Sequence, residues 1–569
     1  PGAEAVAVVV DGAEHAMAPA GGGWWRAEVP GAGHGARYAF RVDGGEGTPD
    51  PRSRWQPDGV HEASAVYDHG RHAWADAGWT GRPLAGGVVY ELHVGTFTPE
   101  GTLDAAAGRL GHLAGLGVTH VELMPLAAFD GVHGWGYDGV HLFAVHEPYG
   151  GPDALKRYVD AAHAAGLAVV LDVVYNHLGP SGNSLGRFGP YFTDTHHTPW
   201  GAAVNLDAPG SDEVRAWILD NAVGWLRDFH LDGLRLDAVH ALRDTRARHL
   251  LEDLADEVDA LAAALGRPLT LIAESDMNDP RIVTPREAGG MGVHAQWDDD
   301  VHHALFALLT GERQGYLCDF GSLETLAAVL TGAFHHAGTW SAFRGRTHGR
   351  PVDRRTAAGW RFVAFLQDHD QVGNRATGDR PSATLSVGLQ MVGAALLLTA
   401  PFTPMLFMGE EWGATTPWAY FTSFPDERLG RAVSRGRRRE FARAGWSGRI
   451  PDPQDPATVA MSRLDWDEPG REPHRALLDW HRRLIALRRG RPELADPRLD
   501  RVACAFDEDA RWIVVRRAAL RVAANLAGEP RTVPLGAPGG RVLLASAGAE
   551  VRGDGVALDP QSVAVLETG

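Results

Sequence analysis

The sequence is poor in cysteine and in lysine, and both scarcities limit what the protein can be. Its 569 residues include only two cysteines, Cys318 and Cys504, which lie too far apart in sequence to form a disulfide framework. This usage is typical of a reducing compartment, so we expect a cytoplasmic protein. Lys156 is the single lysine, and the formal net charge is −18. Such an acidic balance argues against non-specific binding to nucleic acid or to an anionic membrane.

Long uninterrupted hydrophobic runs are also scarce. The most apolar segment, residues 387–409, is long enough to raise the question of a membrane span, but Gln390, Pro401 and Pro404 interrupt it. A buried helix followed by a buried strand is the better interpretation. Hydrophobic residues make up 44% of the chain and charged residues 22%, which is typical of a globular protein with a sizeable core.

Short apolar runs alternate with amphipathic helical stretches through the middle of the chain. The strand candidates are residues 88–94, 118–125, 167–176, 231–239, 269–275, 292–297, 361–369 and 403–411. This alternation predicts an α/β fold, a (β/α)8 TIM barrel over residues 85–487. A stretch rich in glycine, serine, asparagine and aromatic residues at about 178–210 predicts a loop or subdomain inserted after the third strand.

The segments that flank the predicted barrel have the pattern of β-structure. Residues 1–80 are rich in glycine and proline and contain short strand patterns such as AVAVVV and RYAFRV, which predict an N-terminal β-sandwich. Residues 490–569 combine strand patterns with glycine and proline turns and predict a C-terminal β-sandwich. The chain is therefore expected to fold as a barrel between two β-sandwich domains.

Charged and polar side chains cluster where the predicted strands end, which is where TIM barrels carry their chemistry. The residues at these ends are Glu91 and His93, Asp172, Asn176 and His177, Arg235 and Asp237, Glu274, and Asp368, His369 and Asp370. A lone acidic residue at such a position often caps the next helix. Because several strands contribute together, the pattern favours a catalytic site at one mouth of the barrel.

The run GLRLDAVHAL, residues 233–242, places two charges inside an apolar strand. Arg235 and Asp237 are two residues apart and so point to the same face. Burying a charge is costly unless it is paired or has a chemical task. Two carboxyl groups that flank a bond, one attacking and one kept protonated, are the requirement for glycoside cleavage.

Aromatic residues crowd the same loops and allow two interpretations, stacking on sugar rings or packing beneath long loops. Stacking is favoured for Tyr137, which stands beside Asp138 in GWGYDG. The other rings are Trp135, Tyr175, Tyr191, Phe192, Trp200 and Trp297.

Four motifs resemble, in order, the signature regions of the α-amylase-type glycoside hydrolases. They are DVVYNH (172–177), GLRLDAVH (233–240), LIAES (271–275) and QDHD (367–370). YELHVGTFTPEGT (90–102) is similar to the first strand of the subgroup that includes branching enzymes and isoamylases, and it implies that the N-terminal sandwich is a carbohydrate-binding-type module. AESDMNDPR, SAFRGRTHGR and QDHDQVGNRATGDR resemble the branch of this family that acts on maltooligosyl trehalose.

The resemblance implies a role for each matching residue. Asp237 matches the nucleophile, Glu274 the general acid and base, and Asp370 the third carboxylate, while Arg235 would keep Asp237 ionised and oriented. The residues implied to bind substrate are His177 and His369 at the same sugar, Tyr137 and Asp138 beside it, and Trp200, Tyr316, Phe343 and Arg344 on the trehalose side.

The implied activity is that of a retaining hydrolase, which cleaves the α-1,4 bond next to the terminal trehalose of maltooligosyl trehalose and releases trehalose. Maltooligosaccharides are further expected ligands, and the enzyme that makes maltooligosyl trehalose is an expected functional partner. No cofactor and no metal are expected. A glucan branching or debranching enzyme and a non-catalytic, amylase-like carbohydrate-binding subunit stay open as alternatives.

Four features depart from the family or suggest other functions. Asp368 stands where the family usually has asparagine, and Ala241 stands where many amylases have a calcium-linked histidine, with His240 one position earlier. The adjacent histidine pairs, at 196–197, 302–303 and 335–336, have the wrong spacing to share a metal ion. The basic run at residues 428–443 is expected to be a solvated loop near the substrate rim.

Overall fold

A closed barrel of eight parallel strands forms the centre of the computed structural model, which describes residues 2–198, 201–443 and 448–569. The barrel strands are β1 (Val89–Leu92), β2 (His120–Leu123), β3 (Ala168–Val173), β4 (Gly233–Leu236), β5 (Thr270–Ala273), β6 (Ala295–Trp297), β7 (Phe362–Phe365) and β8 (Thr403–Phe407). Each lies within a range predicted from the sequence, and β8 pairs with β1 to close the barrel. The predicted TIM barrel is confirmed.

The barrel lumen is apolar at one end and charged at the other. Val89 and Val170 belong to a buried apolar cluster that also contains Ile272, Val363 and Met405 from other strands. Because side chains alternate along a strand, the residues two positions further on, such as Glu91 and Asp172, point into the same lumen. The charged groups therefore lie toward the carboxyl ends of the strands, where barrel enzymes place their active sites.

Helices connect the strands and cover the barrel. The main ones are Leu110–Leu116, Gly151–Ala164, Ser211–Asp228, Leu250–Leu265, Asp299–Thr310, Leu323–Gly332, Val387–Leu398, Glu427–Arg443 and His474–Gly490. Val387–Leu398 is followed by β8, so the apolar segment 387–409 is a helix and a strand, as expected. Among the described residues, no helix combines the length and the hydropathy that a membrane crossing needs.

The basic run at residues 428–443 corrects one expectation, because it is helical and not a loop. The helix Glu427–Arg443 contains seven arginines among its 17 residues, and arginine is a good helix former. Its buried residues are Gly430, Ser434 and Phe441, at spacings of four and seven. These spacings place one narrow stripe against the protein and leave most arginines toward solvent.

Antiparallel sheets precede and follow the barrel in the sequence. Before it, Val6–Val10, Ala13–Ala16, Arg37–Val42 and Ser64–Ala65 form one sheet, and Ala18–Gly21 pairs with Trp24–Arg26. After it, a five-stranded sheet contains Val502–Asp507, Trp512–Arg517, Leu520–Asn525, Arg541–Ala545 and Ser562–Glu567, and a three-stranded sheet contains Arg531–Pro534, Ala549–Arg552 and Gly555–Leu558. A shared apolar core joins the last two sheets. The exact domain boundaries stay a prediction.

Two hairpins extend the loops that follow barrel strands. Phe192–Thr198 pairs with Gly201–Val204 within the segment expected at about 178–210, after β3. Thr339–Ser341 pairs with Arg346–His348 between β6 and β7. Long insertions at the carboxyl ends of barrel strands supply most of the surface with which such enzymes contact a substrate.

Candidate active site

Arg235 on β4 is the electrostatic centre of the mouth of the barrel. Its guanidinium is fully buried, and Nη1 donates to Asp172 Oδ2 at 2.7 Å and to Asp237 Oδ1 at 3.0 Å. Nη2 lies 3.1 Å from Glu274 Oε2. The ring of Trp297 lies beneath the cation, 4.2 Å from the Arg235 Cζ. One guanidinium therefore gathers carboxyl groups from β3 and from just beyond β4 and β5.

The Asp237 carboxylate is held at both oxygens. Arg235 contacts Oδ1, and the Asn176 amide donates to Oδ2 at 2.7 Å and to the Asp237 carbonyl at 2.9 Å. The Asp237 side chain keeps 11% of its surface exposed. The carboxylate is thus fixed in orientation and still open to the mouth of the barrel.

The Glu274 carboxyl group is fixed by an unusual backbone conformation. Ala238 has φ +40°, in the left-handed region that residues with a side chain rarely adopt, and its N–H donates to Glu274 Oε2 at 2.7 Å. Burial raises the pKa of Glu274; Arg235 opposes this shift, and the carboxylates of Asp237 and Asp370 add to it. The raised pKa suits a group that must donate a proton.

A chain of hydrogen bonds joins β1 to the mouth of the barrel through His369. The His369 Nδ1 donates to Glu91, its Nε2 lies 2.8 Å from the Tyr137 hydroxyl, and that hydroxyl donates to Asp172 Oδ2 at 2.6 Å. Burial alone would lower the pKa of His369, but the carboxylates of Glu91 and Asp370 outweigh it and raise the pKa to about 10. An imidazolium at neutral pH therefore lies among these carboxylates.

Asp368 and Asp370 flank the start of the short helix His369–Gly373. The Asp368 carboxylate accepts the Gln371 N–H at 2.6 Å and caps the helix, a role that aspartate performs as well as asparagine. The Asp370 side chain is 41% exposed, and its Oδ1 accepts the Asn374 amide at 3.0 Å. The departure at Asp368 therefore preserves the backbone geometry that presents Asp370.

The other predicted binding residues lie around this centre. The His177 Nε2 donates to the Tyr137 carbonyl at 3.0 Å. Asp138 is half-buried, and burial raises its pKa to about 6. Tyr316 and Phe343 are exposed rings with centroids 6.4 Å apart, and Arg344 lies 3.5 Å from Asp276 Oδ2. Trp200 lies outside the described residues.

Burial separates packing rings from candidate stacking rings. Trp135, Tyr175 and Trp297 are buried and pack beneath the loops, so stacking on a sugar is not available to them. Tyr137, Tyr191 and Phe192 stay half-buried. Apart from Tyr137, for which the neighbouring Asp138 favoured stacking, the sequence did not distinguish the buried rings from the half-buried ones.

Sequence reasoning overlooked Glu122, which is buried in the lumen on β2. It stands opposite Glu91 in the sheet register, and neither of its carboxyl oxygens has a hydrogen-bond partner among the described residues. Burial and the nearby Glu91 carboxylate raise its pKa well above the usual range. The signal was a charge inside an apolar strand, the same signal that marked Arg235.

Members of the histidine pairs contact polar groups of the protein. The His302 Nδ1 donates to the Leu366 carbonyl at 2.8 Å, and the His336 ring lies 3.4 Å from Asp319. His240 lies 3.9 Å from Asp276. Across residues 2–198, 201–443 and 448–569, no group of three or more histidine, cysteine, aspartate or glutamate side chains is arranged to hold a metal ion.

Comparisons with known families and structures agree with this arrangement. The model of the α-amylase catalytic domain matches residues 58–186, and the model of a domain of unknown function, DUF3459, matches residues 497–565. A crystal structure from Salmonella typhimurium, described as a candidate α-amylase, superposes with a TM-score of 0.91 at 38% identity, covering 100% of this chain and 96% of that chain. A pullulanase from Anoxybacillus sp. LM18-11 shares the fold, with a TM-score of 0.73 at 19% identity, and covers 100% of this chain and 85% of that chain.

Relatives similar over nearly the whole chain carry one name. The malto-oligosyltrehalose trehalohydrolase of Arthrobacter ramosus is 58% identical and covers 94% of each chain. That of Rhizobium sp. (strain M-11) is 55% identical over 96% of this chain and 92% of its own. A 1,4-alpha-glucan branching enzyme from Nitratidesulfovibrio vulgaris is 34% identical and covers only 48% of this chain and 49% of its own. The chain therefore belongs to the malto-oligosyltrehalose trehalohydrolase family of α-amylase-type glycoside hydrolases.

Proposed function

We propose that the protein is a retaining hydrolase that cleaves the α-1,4-glucosidic bond next to the terminal trehalose of maltooligosyl trehalose. The observation that carries this proposal is the position of Arg235, 3.0 Å from Asp237 and 3.1 Å from Glu274. Two carboxyl groups that share one guanidinium lie close together. Retaining glycosidases need a separation of about 5–5.5 Å, whereas inverting enzymes leave room for a water molecule.

Each carboxyl group has a distinct task in this mechanism. Asp237 attacks the anomeric carbon while Glu274 donates its proton to the oxygen of the departing trehalose. Glu274 then removes a proton from water, which hydrolyses the glycosyl ester on Asp237. The raised pKa of Glu274 keeps the proton available for the first step.

The remaining groups bind the sugar whose bond is cleaved. Asp370 is exposed enough to accept hydrogen bonds from ring hydroxyls, and His177 and the His369 imidazolium lie beside the same sugar, where His369 contributes positive charge. Tyr137 stacks on the sugar with Asp138 beside it. Contacts that strengthen as the ring flattens toward the oxocarbenium ion lower the barrier without tightening substrate binding.

The trehalose side is assigned to the segments that follow β3 and β6. These segments contain Trp200, Tyr316, Phe343 and Arg344. Tyr316 and Phe343 supply exposed rings, and Arg344 supplies a guanidinium. Aromatic faces and arginine suit the two rings of trehalose. Names shared by relatives across 94–98% of this chain support the choice of substrate.

The alternatives have less support. A branching enzyme resembles only about half of the chain, and a non-catalytic subunit would have no need for buried carboxyl groups organised around Arg235. We place the protein in the cytoplasm, which its two free cysteines allow. We also propose that it acts on the product of the enzyme that makes maltooligosyl trehalose.

The test offers maltooligosyl trehalose and maltopentaose side by side and separates the products by chromatography. We expect free trehalose from the first substrate and little reaction with the second, and NMR of the fresh product should show the α-anomer at the new reducing end. Asp237→Ala and Glu274→Ala should each lose at least about 100-fold in kcat, since nucleophile and acid contribute at that scale. Asp509→Ala, at an exposed carboxylate in the turn between Val502–Asp507 and Trp512–Arg517, is the control. Glucose and maltose from both substrates would exclude the trehalose assignment, and a β-anomer would exclude retention.

A further inference from the structure

One arginine of the helix Glu427–Arg443 turns inward, although most of its basic neighbours face solvent. The Arg437 side chain is 10% exposed, against 59% for Arg431 and 57% for Arg438. Its guanidinium lies 4.6 Å from the ring centroid of Phe441 and 5.4 Å from that of Tyr420. Arg437 is thus held between aromatic rings and separated from the solvated face of its helix.

The inward guanidinium reaches the segment that carries Asp370. Its Nη2 donates to the Gly373 carbonyl at 2.7 Å, and its Nη1 donates to the Asn374 side-chain oxygen at 3.2 Å. Glu440 accepts from the same Nη1 at 3.2 Å. Arg437 therefore satisfies the carbonyl at the end of the short helix His369–Gly373 and contacts the next side chain.

The Asn374 side-chain amide links Arg437 to Asp370 by hydrogen bonds. An amide has an acceptor on one side and a donor on the other, so an arginine at its oxygen leaves its nitrogen facing the opposite way. That nitrogen donates to Asp370 Oδ1 at 3.0 Å. Two hydrogen bonds thus connect a helix that follows β8 to a carboxylate beyond β7.

We propose that Arg437 is a positioning residue for Asp370, acting through Asn374. This inference rests on the proposed function, in which Asp370 binds ring hydroxyls more strongly in the transition state. The Asp370 side chain is 41% exposed, and its Oδ1 lies 3.7 Å from the His369 Nε2. Because Asp370 is half-exposed, rotating its carboxylate toward the solvent costs little free energy. A hydrogen bond that fixes its rotamer therefore improves the preorganisation of the site.

The test measures kcat and KM separately for Arg437→Ala, Arg437→Lys, Asn374→Ala and the Arg437→Ala/Asn374→Ala double variant. Arg431→Ala, on the exposed face of the same helix, is the matched control. We expect Arg437→Ala and Asn374→Ala each to lower kcat about fivefold to tenfold, with KM within about twofold, because the lost contact serves the transition state. Arg437→Lys should fall between them and the wild type, since an ammonium cannot replace the guanidinium fork.

The double variant separates positioning from simple anchoring of the helix. If both residues act on Asp370 in series, the double variant should be no slower than the slower single variant. Multiplied effects, or a lower melting temperature with unchanged kcat, would overturn the proposal. Should Arg437→Ala fail to fold, Asn374→Ala tests the proposal by itself, because Asn374 is exposed. An unchanged kcat in Asn374→Ala would refute the role of Asn374 in positioning Asp370. All four variants can be assayed on whichever glucan the wild type hydrolyses. A wrong substrate assignment would therefore be distinguished from a failure of Arg437 to act on Asp370 through Asn374.

Discussion

At the scale of single residues, the site depends on charges that the barrel keeps away from water. Arg235 is fully buried, and it is tolerated there because three carboxyl groups and the ring of Trp297 surround it. Removing one partner of such a cluster is costly, since an uncompensated charge then stays buried. The same burial raises the pKa of two of these acids, Glu274 and Asp172. Burial raises the pKa of Asp172 to about 7 even though Arg235 opposes the shift.

The pH dependence of catalysis follows from Glu274. Because its pKa is raised by burial, the acid stays protonated above the range of an ordinary glutamate and loses its proton only at higher pH. We therefore expect the alkaline limb of the pH profile of kcat/KM to lie above the usual glutamate pKa of 4.5. Glu274→Gln should remove this limb and lower kcat by about 100-fold or more. A limb that persists in Glu274→Gln would assign it to another group.

At the scale of elements, burial explains which parts were predictable. All eight barrel strands were found because strands buried on both faces are continuous apolar runs, and the few charges within them marked the site. The helix Glu427–Arg443 was missed because only three small or isolated residues form its buried stripe. Its polar composition fits a solvated loop equally well, and only packing against the body of the protein distinguishes the two.

The hairpin between β6 and β7 is predicted to set substrate preference. The loop that joins Thr339–Ser341 to Arg346–His348 carries Phe343, whose ring is 53% exposed. If this ring stacks on trehalose, Phe343→Ala should lower kcat/KM for maltooligosyl trehalose about threefold to tenfold, in line with about 0.5–1.5 kcal/mol for an aromatic contact. The measurement compares this loss with the loss for maltopentaose, which should be smaller. Phe506→Ala, an exposed ring on the C-terminal sheet, provides the control, and equal losses on both substrates would contradict a trehalose-side role.

At the scale of the whole molecule, the C-terminal sheets are attached to the barrel by buried arginine. Arg517 is 2% exposed and donates to the carbonyls of Thr399, Asp496 and Glu493 at 2.9, 2.7 and 3.0 Å. Burial lowers its pKa to about 10, which still leaves it charged at neutral pH. The guanidinium thus satisfies carbonyls that would otherwise be buried without partners, and it ties two parts of the chain together.

Loss of this attachment should affect stability and not chemistry. We expect Arg517→Ala to lower the melting temperature and to cost about 2–5 kcal/mol, because several buried carbonyls lose their donor. Calorimetry measures the melting temperature, and kcat per folded molecule should stay unchanged because Arg517 lies outside the site. Arg552→Ala, which removes a guanidinium 61% exposed in the same part of the chain, should leave both quantities near wild type. A fall in kcat for Arg517→Ala at a temperature where it is fully folded would contradict this separation.

Local sequence was sufficient to predict the barrel, the order of its strands and the acids at their ends. These features depend on residues that are close in sequence. A buried strand shows its apolar pattern within a few residues, and Arg235 and Asp237 share a face because they are two positions apart. The contacts that complete the site depend on residues far apart in the chain, as when Glu91 meets His369 across 278 positions. Only tertiary structure could show that Tyr137 links His369 to Asp172, that Glu122 is buried beside Glu91, or that Arg437 reaches Asn374. Barrel closure and helix packing decide these distances, and no local pattern encodes them.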